Sequence, residues 1–194
     1  MFAELLRERL AGILDLSPEQ VAALEAHYEL MVRWNRSLNL TAISGLEETV
    51  ERHYCESLFV GQVLDRPDQR IADIGSGPGF PGFPVAVLRP GSSVTLIESH
   101  QRKAVFLQEA TRGLSNVQVI AKRAEDVTES FDWAISRAVS YRDLSRSLRR
   151  LAPRAILLTG ADAPPAELGF SWFPPTPLPW GAQRFLRTTR PFDR

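Results

Sequence analysis

A glycine- and proline-rich segment that follows a short apolar run most constrains the fold of this 194-residue chain. Residues 71–74 read Ile-Ala-Asp-Ile, and residues 75–84 then contain four glycines and three prolines. Glycine adopts backbone angles that other residues avoid, and it lets a ligand approach main-chain N–H groups closely. At the end of a strand in a doubly wound sheet, such a loop is typical of nucleotide binding. We therefore predict a buried strand that runs directly into a binding loop.

From residue 70 onward the chain alternates between strand-like and helix-like segments. The predicted strands are residues 71–74, 94–97, 117–120, 131–136 and 155–159, with the tail 183–189 as a candidate sixth. The predicted helices are 85–89, 101–111 and 141–151, and the apolar side of the second of them is formed by Val105, Phe106 and Leu107. Repeated units of this length imply a parallel sheet covered on both faces. The ligand then binds at the edge where the strands end. The predicted fold class is α/β, with a Rossmann-like, largely parallel sheet over residues 67–194.

The first third of the chain is predicted to be helical. Residues 17–20 read Ser-Pro-Glu-Gln, a capping-box pattern with proline at the first helical position. Apolar residues recur at helical spacing after it: Val21, Leu24, Tyr28, Met31 and Val32. A second helix is predicted over residues 47–64, with Val50, Tyr54, Leu58 and Val63 buried. We expect residues 1–66 to form a helical extension packed on the sheet domain, within one globular unit.

Two classes of ligand are compatible with the glycine loop. Gly77, Gly79 and Gly82 have the spacing of dinucleotide-binding loops, in which a helix N-terminus receives a pyrophosphate. Asp73 followed by Gly75, Gly77 and Gly79 is instead the pattern of methyltransferases that bind S-adenosylmethionine. That cofactor lacks a phosphate and carries an ammonium group and a sulfonium cation, and both favour a nearby carboxylate.

Three features favour S-adenosylmethionine as the cofactor. Asp73 stands at the strand end, where it can attract a cationic amino-acid group directly or through water. Pro78 and Pro81 remove two N–H donors that a pyrophosphate would need. An acidic pair that begins at Glu125 follows the third strand, where methyltransferases often hold adenine. Glu98, at the end of the second strand, suits the ribose hydroxyls of either cofactor.

Motifs that the chain lacks narrow the set of atoms to which it could transfer a methyl group. Amine methylation usually uses an Asn/Asp-Pro-Pro-aromatic motif after the fourth strand, but residues 136–139 read Ser-Arg-Ala-Val. Methylation at a pyrimidine carbon needs a cysteine nucleophile, and the single cysteine, Cys55, lies in the early helices. A ring nitrogen with a free lone pair needs neither device. Catalysis would then rest on orientation and electrostatics.

Charge is distributed unevenly along a chain whose net charge is zero. Residues 1–133 contain 13 basic and 19 acidic residues, whereas residues 134–194 contain 10 arginines and 4 acidic residues. Arginine suits bidentate contact with phosphate, which would explain its concentration in the second segment. The alternative explanation is a general preference for arginine over lysine in this chain. No segment resembles a signal peptide or a membrane span, so we predict a cytoplasmic protein that does not bind a membrane. No cysteine or histidine cluster predicts a metal site.

Further motifs make the chain similar to a known family. They are, in chain order, Trp34-Asn35-x-x-x-Asn39-Leu40-Thr41, Arg52-His53-x-x-Glu56-Ser57-Leu58, residues 73–82, Ser99-x-x-x-Lys103-x-x-Phe106-Leu107, Arg123-Ala124-Glu125 and Ile135-Ser136-Arg137-Ala138. This ordered set resembles the small-subunit ribosomal RNA guanine nitrogen-7 methyltransferases, also called glucose-inhibited division protein B. The resemblance implies the class I S-adenosylmethionine-dependent fold and methyl transfer to nitrogen 7 of a guanosine in 16S rRNA. The implied partner is 16S rRNA in the small ribosomal subunit, and we expect the protein itself to be a monomer.

The resemblance also implies roles for individual residues. Gly75, Phe80, Ala124, Glu125 and Arg137 would contact the cofactor, with Phe80 as an apolar wall. Arg137 would contact either the cofactor carboxylate or an RNA phosphate.

The early motifs add candidates for the catalytic region. His53, Glu56 and Ser57 are candidate catalytic residues together with Arg137. His53 and Ser57 lie four residues apart on one face of a helix, and that face would either pack over the cofactor-binding edge or face the guanine. Trp34 is expected to pack, while Asn35, Asn39 and Thr41 are expected to cap and turn the chain. Asn35, Asn39 and Thr41 therefore have a structural role in this interpretation and no catalytic one.

Three departures from the family pattern bear on the substrate. Glu56 replaces the usual Asp, Thr159-Gly160 replaces the usual Lys-Gly, and residues 161–181 are short and proline-rich. Three alternatives therefore stay open: a methyltransferase for a small molecule or protein, a nicotinamide-dependent oxidoreductase, and a catalytically weakened RNA-binding homologue.

Overall fold

A seven-stranded sheet forms the centre of the molecule, whose computed structural model describes residues 1–190. The strands are β1 (Arg70–Ile74), β2 (Ser93–Ile97), β3 (Val117–Ile120), β4 (Trp133–Arg137), β5 (Ala155–Thr159), β6 (Thr176–Pro177) and β7 (Phe185–Thr188). Their order across the sheet is β3-β2-β1-β4-β5-β7-β6. β1 to β5 are parallel, whereas β7 is antiparallel to both β5 and β6. The predicted α/β class with a largely parallel sheet is confirmed.

Eight α-helical segments surround this sheet in the described part of the chain. They are α1 (Phe2–Leu10), α2 (Pro18–Leu38), α3 (Leu46–Thr49), α4 (Glu56–Gln62), α5 (Gly82–Leu88), α6 (Gln101–Ala110), α7 (Tyr141–Leu144) and α8 (Leu148–Leu151). A π-helical segment, Val50–Cys55, joins α3 to α4 without a break. π-helical turns of this kind often occur at functional sites.

The capping prediction for α2 is confirmed. The Ser17 hydroxyl accepts a hydrogen bond from the Gln20 main-chain N–H at 3.2 Å, and the Gln20 side chain accepts one from the Ser17 N–H at 2.9 Å. At its other end Asn39 takes a left-handed conformation, with φ of 48°. The pattern at each helix end therefore predicted both bounds correctly.

Three local predictions were wrong. The helix predicted over residues 141–151 is interrupted, because Ser147 leaves the helical conformation and α8 begins after it. The helix predicted from residue 85 begins at Gly82, whose N–H is already bonded to a side chain of β1. Val63 is exposed because α4 ends at Gln62, and Val105 is exposed because its neighbours Phe106 and Leu107 occupy the inner face of α6.

The helices cover the two faces of the sheet separately. The N-terminal helices pack with α5 and α6 on one face, and their buried side chains Leu6, Leu24 and Tyr54 belong to the same apolar core as the sheet. On the other face, Leu144 and Leu148 from α7 and α8 pack in a second core. The division into residues 1–66 and 67–194 stays a prediction, and its last four residues lie outside the described part.

Candidate functional site

The glycine loop after β1 is shaped by left-handed backbone angles. Gly75, Gly77 and Gly79 have φ values of 70°, 57° and 99°. The N–H groups of Gly75 and Ser76 donate to the carbonyl of Ile97 at 2.9 and 3.1 Å, which ties the loop to the end of β2. These angles are costly for residues with a Cβ atom, so the glycines are required by the backbone itself.

Asp73 holds the two ends of this loop together. It is fully buried, and its Oδ2 accepts hydrogen bonds from the Ser76 hydroxyl at 2.5 Å and from the Gly82 N–H at 2.9 Å. Its other oxygen, Oδ1, is buried and has no hydrogen-bond partner in the described residues. Burial raises the pKa of Asp73 to about 7, against the lowering effect of these two hydrogen bonds.

This raised pKa predicts a pH-dependent stability. Between about pH 4 and 7 unfolded Asp73 loses its proton while the folded carboxyl keeps it, so this group favours unfolding increasingly as pH rises. We expect Asp73→Asn to cost less free energy of unfolding at about pH 7.5 than at about pH 5, by on the order of 2 kcal/mol. Urea unfolding at both pH values measures this. The exposed Asp68→Asn is the control, and an equal cost of Asp73→Asn at both pH values would contradict the prediction.

Glu98 supports the middle of the glycine loop from the end of β2. The side chain is buried, its Oε2 accepts the Gly77 N–H at 2.8 Å, and its Oε1 accepts the His100 N–H at 2.7 Å. Each carboxylate oxygen can accept a further hydrogen bond. Glu98 therefore shapes the loop and keeps acceptor capacity for a hydroxyl group of a ligand.

A cavity of about 190 Å³, which we call the loop cavity, opens beside the glycine loop. Gly75 and Ile97 line one side of it, and Ala124 and Glu125 line the other. The turn that carries Ala124 and Glu125 is held by the Arg150 guanidinium, which donates to both carbonyls at 2.9 and 3.1 Å. The structure therefore brings Gly75, Ala124 and Glu125 together, as the resemblance implies.

A second cavity of about 380 Å³, the arginine cavity, lies next to the loop cavity. Its walls include Arg52, His53, Arg137 and Arg184. Val139 lines both cavities and separates them. The two cavities together occupy the edge at which the parallel strands end, where open α/β sheets bind ligands.

Arg137 and His53 form a hydrogen-bonded chain along the wall of the arginine cavity. The Arg137 guanidinium, at the end of β4, donates to the Arg52 carbonyl at 2.5 Å and to His53 Nδ1 at 2.6 Å. Since guanidinium can only donate, Nδ1 accepts and the proton resides on Nε2. Nε2 then donates to the Thr41 hydroxyl at 2.8 Å. Asn35 in turn bonds the Thr41 main chain through both side-chain atoms, so the predicted turn is confirmed.

These contacts keep His53 neutral. Burial, followed by the nearby positive charges of Arg137 and Arg52, lowers the pKa of His53 to about 2. Burial also lowers the pKa of Arg137 to about 10, which leaves its guanidinium charged at neutral pH. His53 is therefore an acceptor that orients Arg137, and it is not poised to act as a base near pH 7.

Two further catalytic candidates are buried away from both cavities. Glu56 is fully buried, and both its oxygens accept from Arg184, at 2.9 and 2.5 Å. The Ser57 hydroxyl is also fully buried and donates to the His53 carbonyl at 2.5 Å. Their catalytic roles stay predictions, and the geometry favours positioning instead: Glu56 orients Arg184, and Ser57 supports the helix that carries His53.

The geometry does not favour the Phe80 ring as an apolar wall of the cofactor site, and its contact with the cofactor stays a prediction. Its ring is buried, stacks on His53 with centroids 4.5 Å apart, and lines neither cavity. The N-terminal helices supply this aromatic environment, so the side chain points away from the loop cavity. A cofactor contact by Phe80 would have to use its main chain.

The Glu56–Arg184 pair yields a stability prediction. Arg184→Ala would leave a fully buried carboxylate without its partner, and we expect a loss of about 3 kcal/mol in the free energy of unfolding. The double variant Glu56→Met/Arg184→Met should recover most of that loss. Urea unfolding measures both.

The control for this prediction is an exposed ion pair, in which Arg66 lies 3.8 Å from Asp132. Arg66→Ala should cost under about 1 kcal/mol, because solvent screens the pair. A cost for Arg184→Ala as small as that for Arg66→Ala would contradict the prediction.

Several residues of the site were not predicted from the sequence. Arg184 and Val139 belong to no recognisable local motif, and only the fold brings them to the cavities. Thr159 was interpreted as the loss of a cation, but Arg187 of β7 donates to its hydroxyl at 3.0 Å. His27 of α2 contacts the glycine loop, and its position on the apolar face between Leu24 and Met31 was an available signal.

Two features are absent from residues 1–190. No group of three or more His, Cys, Asp or Glu side chains is arranged to hold a metal ion there. Within the same residues, no helix has the length and apolar character needed to cross a membrane.

Two solved structures with a similar fold are methyltransferases. The magnesium protoporphyrin IX methyltransferase of Synechocystis PCC 6803, solved with bound SAH, matches 87% of this chain and 98% of its own, with a TM-score of 0.61 and 16% identity. A SAM-dependent methyltransferase from Aquifex aeolicus matches 73% of this chain and 92% of its own, with a TM-score of 0.56 and 15% identity. At such identity these likenesses establish the fold, which is that of the class I S-adenosylmethionine-dependent methyltransferases.

The family follows from sequence similarity. Residues 20–155 match the family described as rRNA small subunit methyltransferase G, and the chain belongs to that family. Relatives named ribosomal RNA small subunit methyltransferase G include one from Polynucleobacter asymbioticus, 42% identical over 74% of this chain and 70% of that protein. Others come from Desulforamulus reducens (39% identical over 65% of this chain) and Xylella fastidiosa strain M23 (47% over 61%). In both of these the match spans 56% of the relative.

Proposed function

We propose that this protein transfers a methyl group from S-adenosylmethionine to nitrogen 7 of a guanosine in 16S ribosomal RNA. The observation that carries the proposal is the pair of adjoining cavities at the sheet edge, separated by Val139. One is bounded by the glycine loop and an acidic turn, and the other by three arginines. A cationic cofactor in the loop cavity and an anionic substrate in the arginine cavity would therefore be separated by the Val139 side chain.

The loop cavity fits S-adenosylmethionine by the chemistry of its donors and acceptors. The turn of Ala124 and Glu125 offers main-chain groups beside a flat base. Glu98 does not line the cavity itself, but it directly follows the lining residue Ile97 and keeps acceptor capacity for a ribose hydroxyl. The buried, unpartnered Oδ1 of Asp73 favours a cationic group nearby. When bound, the cofactor supplies a methyl group on a positively charged sulfur.

The arginine cavity fits an RNA nucleotide whose reacting atom needs no base. Nitrogen 7 of guanine carries a free lone pair, so no proton has to be removed before attack, and a neutral His53 bonded at both nitrogens is consistent with that chemistry. Arg52 and Arg184 lie in the same wall, where guanidinium groups can orient phosphates flanking the target nucleotide. The residues thus contribute orientation and electrostatics.

A methyl-transfer assay tests the proposal directly. Purified protein is incubated with labelled S-adenosylmethionine and small ribosomal subunits that lack the modification, and the RNA is then digested to nucleosides. We expect label in 7-methylguanosine. Label in another nucleoside would contradict the proposed atom. Cofactor binding without transfer to RNA would instead favour a small-molecule or protein substrate, or a weakened RNA-binding homologue.

The setting of the reaction is part of the proposal. The charge balance supports recognition of a structured particle, because the arginines are concentrated in residues 134–194 of a chain with no net charge. We propose that the protein meets this particle as a cytoplasmic monomer. Naked 16S RNA, assayed beside intact small subunits, checks this. Equal or better methylation of the naked RNA would count against it.

A further inference from the structure

His27 of α2 links the N-terminal helices to the glycine loop. Its ring is 2% exposed, its Nε2 lies 2.9 Å from the Pro78 carbonyl oxygen, and its Nδ1 lies 2.7 Å from the Tyr54 hydroxyl. The carbonyl can only accept, so Nε2 carries the proton and donates it to Pro78. Nδ1 then accepts from the Tyr54 hydroxyl. Every polar atom of the His27 ring is therefore used.

The His27 ring has little freedom to turn. It stacks on Phe83 with centroids 4.1 Å apart and meets Phe80 edge-on at 5.3 Å and Phe106 at 5.8 Å. Its environment is aromatic on these sides and excludes water. Burial lowers the pKa of His27 to about 4, so the ring stays neutral at physiological pH and keeps one donor and one acceptor.

The acceptor of this hydrogen bond lies at the centre of the binding loop. Pro78 stands between Gly77 and Gly79, both of which have positive φ. A Cβ atom on Gly79 would lie 3.3 Å from His27 Nε2 and 3.1 Å from the Phe83 Cβ, so the loop and the ring are closely fitted. The direction of the Pro78 carbonyl sets the orientation of the peptide that leads into Gly79.

We propose that His27 is a positioning residue for the cofactor loop, which it holds in its binding conformation by donating Nε2–H to the Pro78 carbonyl. The inference rests on the proposed function in one respect, namely that this loop binds S-adenosylmethionine. It extends that function because it makes α2 a part of the cofactor site. Tyr54 of the π-helical segment donates its hydroxyl proton to His27 Nδ1 and so orients the ring, which makes it part of the same hydrogen-bonded arrangement.

Two substitutions separate the hydrogen bond from simple packing. His27→Phe keeps a flat aromatic ring among Phe83, Phe80 and Phe106 but removes the donor. His27→Gln places an amide N–H where Nε2 lies, so it restores the donor and loses the ring. A purely structural role predicts that Phe is the better replacement, whereas the positioning role predicts that Gln binds the cofactor better.

Affinity for S-adenosylhomocysteine, measured by titration calorimetry well below the melting temperature, is the readout. We expect His27→Phe to weaken binding about tenfold or more, and His27→Gln to stay within about threefold of the wild type. Tyr54→Phe should weaken it only a few-fold, and Tyr28→Phe, which removes a hydroxyl from the same helix as His27, should have no effect. Wild-type affinity in His27→Phe, or equal weakening in the Phe and Gln variants, would overturn the inference.

A second measurement covers the case in which His27→Phe does not fold. The buried Nε2–H of the wild type should give a slowly exchanging, downfield proton resonance that shifts when S-adenosylhomocysteine binds and is absent from His27→Gln. A resonance that does not shift would overturn the inference while leaving the proposed function intact. If the wild type binds no S-adenosylhomocysteine at all, the proposed function fails first and the inference falls with it.

Discussion

Replacement of Gly75 by alanine is expected to weaken cofactor binding by about a hundredfold or more. Two physical costs act together at this position. The backbone has a φ of 70°, and the new Cβ would lie 2.5 Å from Val139 Cγ2. Such a φ disfavours any residue with a Cβ. No real Cβ tolerates that distance, so either the glycine loop or the wall between the two cavities must move.

Alanine substitutions at two other glycines provide comparison variants in which one or both of these costs are absent. Gly77 has a φ of 57°, but the nearest atom to its hypothetical Cβ is a backbone oxygen 4.0 Å away. Gly77→Ala therefore carries backbone strain alone, which costs about 2 kcal/mol or less. Gly113→Ala meets no atom within 4 Å and should bind the cofactor like the wild type. Calorimetric titration with S-adenosylhomocysteine measures the three affinities, and circular dichroism verifies that each variant is folded.

A double variant tests the steric part of the argument. Val139→Ala removes the atom that the new Cβ would meet, so Gly75→Ala/Val139→Ala should bind more tightly than Gly75→Ala and still less tightly than the wild type. If Gly75→Ala binds as well as Gly77→Ala, the contact between the loop and Val139 is not what shapes the loop cavity.

The parts of the molecule that the sequence predicted are those determined by neighbouring residues. The capping box at Ser17, the five parallel strands and the loop that leaves β1 are all local patterns, and the structure confirms them. The ends of parallel strands necessarily meet at one edge, so Gly75 and Glu125 were predicted to share a site although they are far apart in the chain.

The parts that the sequence could not predict depend on contacts between distant segments. Arg184 bonds Glu56, 128 positions earlier in the chain, because β7 returns antiparallel to β5 and places the tail against α4. The resemblance implied that Phe80 contacts the cofactor as an apolar wall. Only the packing of His53 and the other N-terminal aromatic residues shows that its ring points the other way.

The same distinction explains the wrong burial predictions. Helical spacing places Val63 and Val105 near apolar neighbours, but spacing alone does not say which side of a helix meets the core. Thr159 is a comparable case, in which a local pattern led to a wrong inference about positive charge near the site. A threonine at the end of β5, where the family usually has lysine, suggests a lost cation, whereas Arg187 reaches it from β7, a strand whose pairing no local pattern indicates.

Replacement of Arg137 by alanine is expected to lower kcat/KM for methyl transfer by on the order of a hundredfold. The substitution removes the only donor to His53 Nδ1 in the described residues and leaves the Arg52 carbonyl without this partner. It also removes a positive charge from the wall of the arginine cavity. Arg137→Lys should restore only part of the activity, because one ammonium group cannot reproduce the fork that contacts both acceptors.

The effect on each ligand identifies what Arg137 binds. If it contacts the cofactor carboxylate, the alanine variant should lose affinity for S-adenosylhomocysteine and keep the wild-type dependence of RNA binding on salt. If it contacts an RNA phosphate, cofactor affinity should persist while RNA binding weakens and the slope of log K against log salt becomes shallower by about one. Arg112→Ala, an exposed position just after α6, is the control for a general loss of charge. Unchanged kcat/KM in Arg137→Ala would mean that this side chain only supports the His53 region, and the acceptor pocket would then have to be sought around Arg52 and Arg184.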